Sequence, residues 1–304
     1  MSESLHHRPV AVQHVYQKSV SGEIIFYSAR DAIVFFTLFC VCARKHGLHP
    51  TALCLMPEHI HGLYPVGSRL LLSPFIQETT HRFSAEFNKD ARRKAPLFKH
   101  QFGSAMKYGD KQIRSINAYV ANNPVEKKSC LRAEQYKWNF LAYAESDHPF
   151  SEKLIVRKTS CRMRKAIKVI KDMSMRDLPF NYTLFDRICE GLAAQERLQL
   201  TDLIISAYNV LDYDTLLSYY KSYEGMLEAF ANTKGAEYDL KEDFDKYSNR
   251  NYARIGDFLK ERVGISRPKE VLWLPEEQRI TLLRQVVADC VAPEYQARKY
   301  LHLF

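Results

Sequence analysis

Residues 51–66, TALCLMPEHIHGLYPV, limit the possible folds more than any other stretch of the chain. Two β-rich runs, TALCLM and HIHGLYPV, are separated only by Pro57 and Glu58. So short a gap leaves an antiparallel hairpin, with Pro57 at a strand edge because it cannot donate to a central ladder. On a strand, residues two apart share a face, so His59 and His61 present both imidazoles together while Glu58 and Ile60 point the other way. Two imidazoles on one face make half of a divalent-metal site. With 11 histidines in 304 residues, the same pattern also arises by chance as a core or surface pair.

The hairpin sits inside an alternating series. VAVQHVYQKSV at 10–20 has the β-branched and aromatic content of a strand, and SVSG after it is a turn. A helix capped by Ser28 or Asp31 is expected from about Asp31 to Lys45, ended by Gly47 and Pro50. After the hairpin come a helix from about Ser73 to Ala91, a fourth strand or ordered loop in APLFKHQFGSAMKYG, and a helix in DKQIRSINAYVANNP that stops at Pro124. The order strand, helix, strand, strand, helix, strand, helix predicts an α+β fold: a split βαβ, ferredoxin-like palm with an antiparallel sheet and helices on one face.

Beyond residue 150 the strand signals fade. The length favours two domains, and the division falls between a palm at 1–150 and a helical, basic region at 151–304. The latter opens on the densest basic run, with Lys153, Arg157, Lys158, Arg162, Arg164, Lys165, Lys168 and Lys171. This is a solvated helix face or a phosphate-binding stripe. The end of the chain, RITLLRQVVADCVAPEYQARKYLHLF, reads as two helices around a turn at VAP, either a plain helical hairpin or a helix-turn-helix. The acidic-aromatic stretch EYDLKEDFDKY at 237–247 reads as a solvated helix or linker.

A formal charge of +9 and a pI near 9.1 attract polyanions, nucleic acid first and anionic membrane second. The apolar run AIVFFTLFCVCA at 32–43 is too short to span a bilayer and reads as a buried helix. The first residues lack the pattern of a secretory signal, so a cytoplasmic, nucleoid-associated protein is expected. The seven cysteines have no CxxC pairing and read as reduced, mostly buried thiols.

A metal that does chemistry needs a third protein ligand and open positions. In INAYVANNPV, Tyr119 and Asn123 stand four apart, on one face of a helix. The spacing alone is cheap, since YSNRN offers Tyr247 and Asn251 in the same relation, and most tyrosines are packing residues. In combination, MPEHIHGLY, AYVANNPVE and EQYKWNFLAY resemble the single-tyrosine HUH transposases, and more closely the REP-associated tyrosine transposases. The resemblance runs from about His14 to Tyr143. It departs at Glu58, where the family commonly has Asn.

The resemblance implies that His59, His61 and Asn123 hold Mg²⁺ or Mn²⁺ and that Tyr119 is the nucleophile on single-stranded, hairpin-bearing DNA, giving a 5′-phosphotyrosine and a free 3′-hydroxyl. A phenol of pKa about 10 is a poor nucleophile at neutral pH, so charge stabilisation at the phosphate is needed. No nucleotide cofactor is expected, and the phosphate-cradling GxxxxGK[ST] is absent. DNA is the expected partner, with no membrane and with a homodimer open. The candidate DNA contacts are Arg92, Arg93, Lys94, Lys99 and His100, interleaved with Phe98 and Phe102, then Lys107, Arg114, Arg157, Lys158, Arg162, Arg164, Lys165, Arg298 and Lys299.

Three functions compete: a metal-dependent DNA strand transferase; a DNA-binding or regulatory protein that keeps the fold and has lost turnover; and a hydrolase in which a His-x-His metal activates water and Tyr119 is structural. Strand transfer requires Tyr119, His59 and His61 to meet at one solvent-open point beside a basic groove. With Tyr119 buried in the core, that reading fails.

Overall fold

A computed structural model of the chain describes residues 9–233, 248–290 and 292–304. The stretch 237–247, with Tyr247, lies outside the described residues, as do residues 1–8 and Val291 of the VAP turn.

Four strands, β1 (Ala11–Lys18), β2 (Ala52–Met56), β3 (His59–Tyr64) and β4 (Gly103–Tyr108), form one antiparallel sheet in the order β2-β3-β1-β4. Pro57 and Glu58 make the expected two-residue connection of the β2–β3 hairpin. Helix α1 (Ala29–Lys45) begins two residues earlier than expected, because Ser28 is the cap and Asp31 closes the box, its Oδ2 accepting from Ser28 N at 3.0 Å. Its apolar run is buried throughout, and no described helix is long and apolar enough to cross a membrane.

Helix α2 (Ser73–Asp90) packs beside α1. Together they cover one face of the sheet through Val15, Leu53, Leu55, Ile60 and Tyr64. Helix α3 (Gly109–Glu126) covers the opposite face, against Val12, Cys54, Met56 and Leu63. The expectation of helices on one face is therefore corrected. Both faces of the sheet carry buried side chains, with Val15, Leu53, Leu55 and Ile60 on one and Val12, Cys54, Met56 and Leu63 on the other, and a sheet of that kind is covered twice.

The predicted stop of α3 at Pro124 is also corrected, since the helix runs on to Glu126 with Pro124 inside it. Bonds from Lys127 N to Asn123 O (3.1 Å) and from Ser129 N to Pro124 O (2.8 Å) carry the turn past the proline. Burial of residues 116–124 outweighs the local preference of a residue before proline.

From residue 150 onward every described element is helical: α4 (Cys161–Met175), α5 (Tyr182–Cys189), α6 (Ala194–Tyr208), α7 (Tyr213–Leu217), α8 (Tyr223–Asn232), α9 (Arg250–Phe258), α10 (Glu276–Cys290) and α11 (Glu294–Leu301), with short 3-10 turns and a π-helical turn at Leu259–Val263. These helices extend both cores. One core is continuous from Val15 through Ile170 and Leu200 to Leu303; the other joins α3 to Leu216, Tyr219, Met226 and Phe230 of the α7–α8 region. All seven cysteines are free thiols, but only Cys40, Cys42 and Cys54 are buried and Cys161 is exposed, so "mostly buried" does not hold.

Candidate active site beneath helix α3

Strand alternation and register assemble the site. His14, Tyr16 and Lys18 of β1 and His59 and His61 of β3 lie on the sheet face turned to α3, with Tyr16 opposite His61 and Lys18 opposite His59. Across this face α3 lays Tyr119 and Asn123. The Tyr119 ring stands edge-on to His61 (5.4 Å between centroids) and to His14 (5.8 Å). Asn123 Nδ2 is 3.2 Å from His61 Nε2, and His59 lies 4.8 Å from His61, ring perpendicular to ring.

A chain of hydrogen bonds fixes the protons. His14 Nε2 is 3.0 Å from His61 Nδ1, and both rings are held neutral. Burial, with Lys107 nearby, depresses His14 to about 3; burial and the neighbouring His59 push His61 well below the ordinary imidazole range. With Asn123 Nδ2–H donating to His61 Nε2, the His61 proton is on Nδ1 and donates to His14 Nε2. His14 then carries its own proton on Nδ1, a buried atom with no partner. His61 Nε2 is thereby left as a lone pair. His59 Nδ1 lies 3.6 Å from Glu58 Oε1, which favours a proton there and a lone pair on its Nε2.

These donors fit a divalent ion in chemical type. Each imidazole has an outer partner on its Nδ1, Glu58 for His59 and His14 for His61, as is usual for metal-bound histidine. Asn123 Oδ1 is a buried acceptor without a partner, and rotating the carboxamide turns it toward His61 Nε2. Two ligands at right angles, each about 2.1 Å from one ion, stand about 3.0 Å apart, close to the Asn123–His61 separation. Among the described residues no group of three or more His, Cys, Asp or Glu is disposed to hold a metal, so an amide has to complete this set. Glu58, expected to face away, instead lies against His59: it occupies the hairpin turn, where strand alternation no longer sets direction.

The solvent-open point does not appear. Tyr119 and His61 are 0% exposed, and only His59, Tyr16 and Lys18 reach partway to the surface. Four-residue spacing puts Tyr119 and Asn123 on one helix face, and that face is pressed onto the sheet. Behind α3, Leu216, Tyr219, Met226 and Phe230 close the other side, and Asn122 Nδ2 donates to Phe230 O at 2.7 Å.

The basic candidates scatter. Lys94, Lys99, His100, Arg114, Arg157, Lys158, Arg162, Arg164, Lys165 and Arg298 are exposed, and Lys107 is half-buried on β4. Arg92 is stacked on Trp273, 3.9 Å from the ring centroid. Arg93 is drawn inward to Glu23 and His302, and Lys299 is buried on α11 at 4% exposure. Lys299 is therefore corrected as a surface contact: α11 turns Gln296, Ala297, Lys299 and Tyr300 into the protein, as a packing hairpin does. Phe98 belongs to the core.

His14 and Glu58 join the site without being among the residues that the motifs single out. His14 was accessible through period-two alternation with Tyr16 and Lys18, but only the register shows that it meets His61.

No protein-family model matches the chain, and no curated protein does. Among solved structures, a REP-associated tyrosine transposase bound to a REP hairpin is similar at 16% identity and a TM-score of 0.35, over 45% of this chain and 81% of that one. Likeness at this level identifies neither a shared fold nor a shared activity.

Proposed function

We propose that the chain binds hairpin-bearing single-stranded DNA through a single-tyrosine HUH-type palm; the closed structure does not meet the condition of a solvent-open nucleophile, so strand transfer belongs to a state in which α3 has lifted from the sheet and uncovered Tyr119. One observation carries this reading: Tyr119 and Asn123 of α3 meet His61 of β3, 62 residues from Asn123 in sequence, together with His59. The strand order β2-β3-β1-β4, in which α1 and α2 each join strands separated by a third, supports a split βαβ, ferredoxin-like palm.

His59, His61 and Asn123 would hold Mg²⁺ or Mn²⁺, which supplies positive charge at the scissile phosphate. His14 and Glu58 keep the two imidazoles oriented. Once uncovered, the Tyr119 oxygen bonds to phosphorus as the phosphorus–O3′ bond breaks. The phenolic proton is lost, the leaving 3′-oxygen gains one, and the 5′-phosphotyrosine reverses by attack of another 3′-hydroxyl.

Full burial of Tyr119 favours a second reading, a DNA-binding or regulatory protein that keeps the fold and does not turn over. Incubation with pooled hairpin oligonucleotides and Mg²⁺ or Mn²⁺, followed by a denaturing gel and mass spectrometry, separates the two. A metal-dependent adduct on Tyr119 is expected. Tight retention of oligonucleotide with no adduct, also when the cover is weakened by Phe230→Ala, overturns strand transfer and leaves the binding protein.

A further inference from the structure

We infer that α4, with the cleft between α4 and α5, is a second nucleic-acid surface that grips the phosphodiester backbone of a duplex. Between residues 157 and 171 the chain has seven Lys or Arg residues and no Asp or Glu. In the fold all seven side chains are exposed: Arg157 and Lys158 on the turn that leads into α4, and Arg162, Arg164, Lys165, Lys168 and Lys171 on α4 itself, whose Met163, Ala166, Ile167 and Ile170 are buried against α5 and α6.

The neighbouring carboxylates do not neutralise them. Asp172 pairs with Arg176, Asp177 with Arg44, and Asp186 with Arg30 and Arg267; Glu196 accepts from Ser160 N. Among the described residues none of the seven is in an ion pair. Five like charges on one helix, with two more on the turn before it, repel each other, and an isolated fold gains nothing from collecting them.

The surface also has relief. An open cleft of about 450 Å³ runs between α4 and α5, lined by Arg162, Lys165 and Arg187, with Glu190 the one acidic group. Beside it Arg164, Lys168 and Lys171 form a stripe of about 10 Å along the helix, a length over which a duplex carries about six phosphates. An anionic bilayer would need the apolar side of α4 for insertion, and that side is inside the protein. Helix α4 packs on α5 and α6, which pack on α1, the helix covering the sheet face opposite α3. The surface is therefore separate from Tyr119 and stands whether or not Tyr119 turns over.

The test uses the full chain and a labelled blunt duplex of about 20 base pairs in EDTA, where no metal-dependent cleavage proceeds, titrated across salt concentrations. K165Q/K168Q/K171Q should weaken binding at least about tenfold at about 0.1 M salt and lower the slope of log K against log salt by roughly 2 to 3, since each phosphate contact contributes about 0.9. K165R/K168R/K171R should bind as the unmodified protein does, and R187Q should weaken binding by itself. Unchanged affinity and slope in the glutamine variant would overturn the assignment, as would binding to anionic phospholipid vesicles with none to the duplex.

Discussion

At the scale of single residues, the site is defined by which atoms keep a lone pair. His61 is neutral because a charged imidazole would be stranded without water beside His59 and His14, and its Nδ1–H is directed to His14. Tyr119→Phe should abolish a covalent DNA adduct on denaturing gels while leaving affinity within a few-fold, because only the hydroxyl is removed; parallel loss of both would place Tyr119 in binding and not in chemistry. His59→Ala is the cleaner probe of the metal, since His59 reaches the surface and His61 does not. Calorimetry should show Mn²⁺ binding to the unmodified chain and none to this variant. Full Mn²⁺ affinity after the substitution would remove His59 from the ligand set.

At the scale of elements, α3 is held between the sheet and the α7–α8 region. Its second contact covers the face turned away from the sheet: Phe230 is 2% exposed, and its carbonyl takes the Asn122 amide. Phe230→Ala should cost about 3–5 kcal/mol in denaturant melts, because the cavity left behind does not fully collapse. It should also raise the reactivity of Tyr119 toward a tyrosine-nitrating reagent. Unchanged nitration in a destabilised variant would mean that α8 is not what keeps solvent from Tyr119.

At the scale of the whole molecule, residues far along the chain lock onto the first helices. Lys269, buried, lies 2.5 Å from Asp31 and 2.7 Å from Asp90, and Arg30 joins Asp90 to Asp186. Lys269→Ala leaves two carboxylates short of a buried partner and should cost about 3–5 kcal/mol by denaturant unfolding; a loss under about 1 kcal/mol would mean that water replaces the ammonium. The C-terminus is held similarly, with His302 Nε2 2.8 Å from Ile24 O and Nδ1 against Arg93. Burial, with Arg93 beside it, depresses His302 to about 3, whereas the unfolded chain titrates near 6.5. Between those values the unfolded state binds the extra proton. Stability is therefore complete above pH 6.5 and falls as the pH drops toward 3, by up to about 1.4 kcal/mol per pH unit from this group. His302→Asn, which tolerates the left-handed backbone at this position, should flatten that part of a Tm-against-pH curve.

Local pattern alone specifies the elements of the first half and the candidates they carry. Alternation and a two-residue Pro-Glu gap specify the hairpin, Ser28 and Asp31 specify the start of α1, and local spacing pairs His59 with His61 and Tyr119 with Asn123, because each depends on backbone geometry within a few residues. What surrounds those pairs depended on tertiary structure. Helix spacing says which residues share a face but not whether the face meets water or a sheet, so only the packed fold encloses Tyr119. Likewise, only register brings His14 to His61, only the turn aims Glu58 at His59, and only packing turns Lys299 inward while leaving the cations of α4 at the surface. Burial and long-range register are properties of the assembled chain, and no local pattern encodes them.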